Sequence, residues 1–183
     1  MENEIRTLKA EEITIRVQSV HPYKFQGQDK VGVILLLYKD ARVDMNILDE
    51  VYGRNNWQRT HEVINGNLFC NIDIWDNDKK CWVRKQDVGV ESNTEKEKGQ
   101  ASDSFKRAGT NVGIGRELYT APMIFIELAP EEYEMDEKNK KPKVKAKTKF
   151  KVKLIDYNEN REISKLQVAD TKNIVRYSYG VKE

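Results

Sequence analysis

The chain has 183 residues, of which 38% are hydrophobic and 34% are charged, so it is long enough for one compact domain with a moderate core and an extension. Its 32 lysines and arginines against 30 aspartates and glutamates leave a formal charge of +2, so nucleic-acid binding would have to come from local clusters of cations. No apolar run reaches the roughly 18 residues of a membrane span, and the acidic start MENEIRTLKAEE lacks the features of a signal peptide, so we expect a cytoplasmic protein.

The first predicted element is a strand over residues 11–20, where apolar residues alternate as in a half-buried strand: Ile13, Ile15 and Val17. The segment FQGQDK that follows is predicted to be a loop. Residues 31–38 are apolar throughout, which fits either a buried strand or the start of a helix.

A helix is predicted from Asp40 onward, because apolar residues recur there at helical spacing: Val43, Ile47, Leu48 and Val51. Gly53 stands where a helix stop is expected. Three β-prone segments follow at residues 57–64, 68–75 and 82–90, and Asn65-Gly66 between the first two is a strong hairpin signal. The pattern predicts an α+β fold in which an antiparallel β-meander carries helices on one face.

Residues 97–119, EKGQASDSFKRAGTNVGIGRELY, predict a second helix that ends at glycines. One face is apolar, and another stripe carries Lys98, Ser102, Lys106 and Thr110, with Arg107 beside it. Paired cations beside a glycine-rich break are typical of a surface that binds backbone phosphates. An ordinary amphipathic helix with a solvated basic face explains the pattern equally well.

The C-terminal third changes composition abruptly. A strand is predicted at residues 123–128, an acidic stretch follows at 131–137, and lysines then recur from 138 to 153. Those lysines are read as a solvated linker or the outer face of a strand, with a mobile basic arm for nucleic acid as the alternative. The predicted division is a core domain at 1–130, a charged linker at 131–147 and a β-hairpin or small subdomain at 148–183.

The cysteines and histidines indicate neither a disulfide nor a metal centre. Cys70 and Cys81 flank a turn in a way that would not bring them opposite each other, and His21 and His61 lie at no ligand spacing, so free thiols and no zinc are expected. Five aromatic side chains could stack on bases, although core or subunit-contact roles are commoner for such residues: Tyr52, Trp57, Trp75, Trp82 and Tyr119.

The sequence patterns that could indicate an enzyme are less specific than those that could indicate DNA binding. A divalent metal could bind Asp87, Glu91 and Glu95, and Asp78-x-Lys80 resembles the end of a nuclease motif, but Asp78 falls in an apparent turn without a fixed acidic partner. Gly113-Ile114-Gly115-Arg116 follows a helix and is not succeeded by Gly-Lys-Ser/Thr, so a nucleotide-binding loop is not expected. We expect a protein that is not an enzyme and needs no cofactor.

Three segments in order carry a resemblance to a known family: MNILDEVYGRNNWQRT (45–60), DVGVES (87–92) and EKEKGQASDSFKRAGTNVGIGRELY (95–119). They resemble single-strand annealing proteins of the Rad fifty-two superfamily, including phage members of the Sak type. In that family a helix ending in a Gly-x-Asn-x-Trp-like element precedes the sheet, a strand ends in Asp-x-Gly, and a helix carries Lys-Arg-Ala before a glycine break. The resemblance covers about residues 31–121 and leaves 131–183 uncovered.

The resemblance implies a β-β-β-α core that assembles into rings or filaments, holds single-stranded DNA in an outer basic groove and anneals complementary strands without ATP. It assigns backbone binding to Lys106 and Arg107 and places Arg42 near a family arginine. A further family arginine corresponds to Thr110, a departure that either weakens binding or shifts that charge to another residue such as Arg116. Lys98, on the Lys106 stripe, completes the candidate DNA-binding set.

The function expected is therefore strand annealing in phage or bacterial homologous recombination and double-strand break repair. Single-stranded DNA and further copies of the chain are the expected partners, with a host single-strand-binding protein or recombinase as an additional one. The alternatives are a passive single-strand binder and a phage modulator of a host recombination or nuclease complex.

Overall fold

The computed structural model describes residues 4–90 and 96–181, without the side chains of residues 96–98. In chain order its elements are β1 (Ile13–Phe25), β2 (Gln28–Lys39), α1 (Ala41–Tyr52), β3 (Trp57–Ile64), β4 (Asn67–Asp76), β5 (Cys81–Val88), α2 (Lys96–Val112), β6 (Ile124–Leu128), β7 (Tyr133–Met135), β8 (Pro142–Val144), β9 (Phe150–Tyr157), β10 (Ile163–Asp170) and β11 (Val175–Tyr179), with 3₁₀ helices at Ala10–Glu12 and Arg116–Thr120. The fold is α+β with antiparallel sheets, as predicted. No helix in these residues is long and apolar enough to cross a membrane.

Contacts divide the chain into two compact units. Unit 1 consists of the described residues of Met1–Leu8 and Lys39–Arg116, and unit 2 consists of those of Lys9–Tyr38 and Glu117–Glu183. This division differs from the predicted segments 1–130, 131–147 and 148–183, because spatial contacts join stretches that are far apart in the sequence.

Unit 1 is built on the sheet β3-β4-β5, with α1 before it and α2 after it. The predicted Asn65-Gly66 hairpin is confirmed, since both residues have positive φ (49° and 78°), as a tight turn between twisted strands requires. Ile72 and Cys70 of β4 are fully buried, and so is Phe105 of α2. Burial of apolar side chains of this size contributes roughly 1.5–3 kcal/mol each, so the packing of α2 on the sheet is a main source of the unit's stability.

The strand register explains why the two cysteines stay apart. Cys70 lies opposite Asp87, and Cys81 lies opposite Asp76 at the turn between β4 and β5. Both thiols are free, as predicted; Cys70 is buried and Cys81 is exposed. Burial raises the pKa of the Cys70 thiol to about 11, so this side chain acts as an apolar core group at neutral pH.

Unit 2 contains the sheets β1-β2-β6 and β9-β10-β11 and the hairpin β7-β8. The predicted FQGQDK loop is in fact a two-residue turn at Gln26 and Gly27, both with positive φ (49° and 78°), so β2 begins at Gln28 and extends through the ambiguous stretch 31–38. Residues 131–147 contain the β7-β8 hairpin, and residues 148–183, predicted as a β-hairpin or small subdomain, contain the three-stranded sheet β9-β10-β11. Apolar alternation in short segments did not reveal how many strands would pair.

Candidate nucleic-acid interface

The N-terminal turn of α1 lies against the C-terminal half of α2. Asp40 caps α1 by accepting a hydrogen bond from the backbone N–H of Arg42 (2.9 Å). One turn further on, Asp44 occupies the space that a Cβ at position 109 would need, so glycine at 109 permits the close approach of the two helices. The sequence motif Lys-Arg-Ala-Gly therefore combines surface cations with a helix-contact residue.

A buried ion pair fixes this contact. Lys39 is 5% exposed and Asp44 is fully buried, and the Lys39 ammonium pairs with the Asp44 carboxylate. The same ammonium donates to the backbone carbonyl of Lys106 (3.2 Å). Lys39 thus connects the start of α1 to the turn of α2 that carries the basic pair, a role that the sequence pattern did not indicate.

Burial, which outweighs the opposing effect of Lys39, raises the pKa of Asp44 to about 6 from its ordinary 3.8. Between these values the folded chain binds more protons than the unfolded chain, so the contribution of Asp44 to stability falls as pH rises through that window. The shift corresponds to about 3 kcal/mol. We expect Asp44→Asn, which cannot titrate, to flatten the pH dependence of unfolding between about pH 4 and pH 6. Urea unfolding of both proteins across that range checks this, and identical pH profiles would contradict it.

Lys106 and Arg107 differ in their surroundings. Lys106 is half-buried, and its carbonyl accepts hydrogen bonds from Lys39 and from the hydroxyl of Thr110 (3.0 Å). Arg107 is exposed, and its Nε donates to the Asp87 carboxylate at 3.3 Å. Ion pairs this exposed contribute about 0–1 kcal/mol, so a phosphate oxygen can replace Asp87 at little cost.

Arg107 also belongs to a polar seam between α2 and the end of β5. Asp103 accepts from the backbone N–H of Val90 (3.0 Å), and Asn111 donates to the carbonyl of Gln86 (2.9 Å). The seam residues stand four positions apart on α2, at 103, 107 and 111. Asp103 and Asn111 satisfy backbone groups at the end of the sheet, and Arg107 contacts the Asp87 carboxylate. The i, i+4 spacing of Asp103, Arg107 and Asn111 is the sequence signal of this seam.

Gly89, from the Asp-x-Gly element, lies where β5 ends against α2. A Cβ there would overlap the carbonyl of Gln100 and come within 2.8 Å of the backbone nitrogen of Ser104. We expect Gly89→Ala to lower the free energy of unfolding by about 1–3 kcal/mol, because backbone atoms cannot move aside as side chains do. Val90→Ala, at a side chain that is 68% exposed, is the control and should change it by less than about 0.5 kcal/mol. Equal effects in urea unfolding would contradict the close contact.

Arg116 begins the 3₁₀ helix that follows α2, and its guanidinium reaches back to position 110. Its Nε donates to the carbonyl of Thr110 (2.7 Å), which also accepts from the backbone N–H of Gly113 (3.1 Å), and its Nη2 donates to the carbonyl of Asn111 (2.9 Å), so the guanidinium caps the last turn of α2. The chain turns there through Gly113 and Gly115, which have positive φ (121° and 72°). A cation therefore stands beside Thr110.

The other candidates are less closely grouped. Arg42 is 80% exposed and pairs with Asp40 (2.9 Å), and the hydrogen bond and charge of Asp40 raise the pKa of Arg42 above its ordinary value. Its turn of α1 adjoins Lys106 through the contacts of Lys39 and Asp44. Lys98 lies in the first turn of α2, and its side chain is outside the described part of the structure.

The aromatic candidates divide between core and surface. Trp57 stacks on Phe105 with 6.4 Å between ring centroids and donates to Asp49 (2.8 Å), which makes it a packing residue. Trp75 and Trp82 meet edge to face at 5.5 Å, and Trp82 is 43% exposed. Tyr119 is 78% exposed and belongs to unit 2.

The alternative metal site has no support in the described ranges. No group of three or more His, Cys, Asp or Glu side chains in residues 4–90 and 96–181 could hold a metal ion. Asp87 pairs with Arg107, and Glu91 and Glu95 lie outside the described residues. Asp78 sits in the turn that the Asp76 carboxylate organises by accepting from the backbone N–H of Asp78 (3.0 Å) and of Lys79 (2.9 Å).

Together these features define an α+β protein whose first unit joins two helices through a buried ion pair, with arginines exposed around that junction. Comparisons with protein-family models, with curated proteins and with solved structures found no match.

Proposed function

We propose that unit 1 binds the backbone of single-stranded DNA and that the protein anneals complementary strands without ATP, as a homo-oligomer, in phage or bacterial recombination and double-strand break repair. The observation that carries the proposal is the grouping of cations on adjoining turns. Arg42 lies in the first turn of α1, Lys106 and Arg107 lie in the turn of α2 held by Lys39, and Arg116 begins the 3₁₀ helix that follows α2.

Backbone recognition is the chemistry that such a surface provides. Lysines and arginines that neutralise phosphates release condensed counterions, so affinity depends steeply on salt and little on sequence. The carboxylates beside the arginines, Asp40 and Asp87, moderate the local field in the free protein. Because both ion pairs involve an exposed arginine, a phosphate can replace the carboxylate as the partner of the guanidinium when DNA binds.

Annealing follows if the groove holds the sugar-phosphate chain and leaves base edges outward. A complementary strand can then pair on the protein surface, and no nucleotide hydrolysis is required. Assembly of several copies would extend the groove along the DNA. Strand β3 lies at one edge of the sheet β3-β4-β5, and its residue Val63 is 70% exposed. The edge strand of a sheet is a common place for a second copy of a protein to pair.

Fluorescence anisotropy with labelled single strands of two unrelated sequences tests the binding step. We expect similar affinities for both strands and a log–log dependence of affinity on salt with a slope near −0.7 per phosphate contact. Absence of binding at low salt would contradict the proposal, and so would binding that salt does not weaken.

A further inference from the structure

Unit 2 contains a concentration of positive charge that is not part of the binding surface proposed for unit 1. Residues 138–153 hold nine lysines and no aspartate or glutamate, whereas the whole chain has a formal charge of +2. The rest of the chain therefore carries −7, because +2 minus +9 is −7. Like charges held close together repel one another, so this segregation costs stability unless a polyanion offsets it.

Four of these lysines lie on strand β9 or just before it. Lys151 and Lys153 of β9 alternate with Val152, which is 8% exposed, so the two ammonium groups lie on the outer face. Lys147 and Lys149 precede the strand and are also exposed. We call these four side chains, Lys147, Lys149, Lys151 and Lys153, the lysine face.

The lysine face has no counter-charge of its own. None of its four ammonium groups has a hydrogen-bond or ion-pair partner among the described residues, in contrast to Lys143, which pairs with Glu134 (3.2 Å), and Lys165, which pairs with Asp156 (3.0 Å). Alternate residues of a strand are about 6.6–6.8 Å apart, a spacing comparable to that of successive phosphates along a nucleic-acid strand.

A cleft of about 410 Å³ adjoins this face. Lys147, Lys149 and Lys172 line it. Two carboxylates of the cleft pair with Arg176, whose guanidinium lies 2.7 Å from Glu132 and 3.8 Å from Asp170. Glu131 is the remaining carboxylate among the residues that line the cleft. The cleft thus extends the cationic surface toward the turn after β10.

We propose that the lysine face binds the phosphate backbone of duplex DNA. A surface that coats single strands generally adds exposed aromatic rings on which bases stack, whereas the unit 1 surface is proposed to hold only the backbone and leave base edges free to pair. The one aromatic residue in 138–153 is Phe150, and it is half-buried. A duplex presents its phosphates outward and its bases inward, so cations alone are sufficient to hold it. This inference uses residues of unit 2 only and does not depend on the function proposed for unit 1.

The test is anisotropy of the full-length protein with a labelled DNA duplex and, separately, a labelled single strand. The variant Lys147→Gln, Lys149→Gln, Lys151→Gln, Lys153→Gln is compared with a control that removes four exposed lysines elsewhere: Lys9→Gln, Lys24→Gln, Lys79→Gln, Lys80→Gln. We expect duplex affinity to fall at least about tenfold in the first variant, with the salt slope reduced by up to about 3.6, and to change little in the control.

Single-strand affinity should be nearly unchanged in the lysine-face variant. Unchanged duplex binding in that variant would overturn the inference, and so would equal losses of duplex and single-strand affinity. The inference would also be overturned if the unsubstituted protein bound vesicles containing anionic phospholipid but did not bind duplex DNA. If the protein does not bind single strands, the duplex measurement can still be interpreted, so the two proposals are tested independently.

Discussion

Lys39→Ala is expected to lower the free energy of unfolding by about 3–5 kcal/mol, because it leaves the buried Asp44 carboxylate without its counter-charge. It also removes the donor to the Lys106 carbonyl and the aliphatic stem that packs against Gly115. The chain's three tryptophans, Trp57, Trp75 and Trp82, all belong to unit 1, so their fluorescence during urea unfolding reports on this unit.

Two controls distinguish the cost of an unpaired buried charge from the cost of removing any lysine side chain. Lys79→Ala removes a 71% exposed partner of Asp76 and should cost less than about 1 kcal/mol. The double variant Lys39→Met with Asp44→Ala removes both buried charges and should recover part of the loss, since no unpaired ion remains. The ion-pair account is wrong if Lys39→Ala unfolds at the same urea concentration as Lys79→Ala.

The second large effect is expected for Lys106→Ala with Arg107→Ala, which should weaken single-strand binding about a hundredfold at low salt. Charge-assisted hydrogen bonds contribute about 1.5–3 kcal/mol each, and loss of two phosphate contacts should reduce the salt slope by about 1.4. Anisotropy across a salt series measures both quantities. The fold should persist, because the Lys106 contacts to Lys39 and Thr110 involve its backbone carbonyl.

The matched control is Lys79→Ala with Lys80→Ala, which removes the same charge from the β4–β5 turn of the same unit. Its affinity should stay within a few-fold of the original protein. If both double variants weaken binding equally, the effect comes from overall charge, and the α1–α2 surface is not the binding site.

The sequence predicts the first unit well because its signals are local. Helical spacing and Gly53 define α1, which ends at Tyr52 just before that glycine, and Asn65-Gly66 defines the β3–β4 hairpin. The contacts of Asp87 with Arg107 and of Gly109 with Asp44 join different elements, and the sequence motifs did not predict them. Short-range patterns are most informative where one element follows the next with a tight turn.

Long-range features were not predictable in the same way. The sequence gives no periodic signal that Lys39 is buried, because a lysine after an apolar run usually extends to solvent, and only the fold brings Asp44 and the Lys106 carbonyl to it. The joining of 9–38 with 117–183 depends on pairing between β2 and β6, which are distant in the chain. In the sequence, the lysines of β9 fit a linker, a strand face or a mobile basic arm, because alternation with Val152 does not distinguish these possibilities.

The central claim is tested most directly by the rate at which two complementary fluorescent oligonucleotides anneal with the purified protein, without ATP, at low and high salt. The account predicts acceleration at low salt that salt suppresses and that the Lys106→Ala, Arg107→Ala variant loses. Binding without acceleration would contradict annealing and identify a passive single-strand binder, and acceleration that survives in the double variant would contradict the assigned surface.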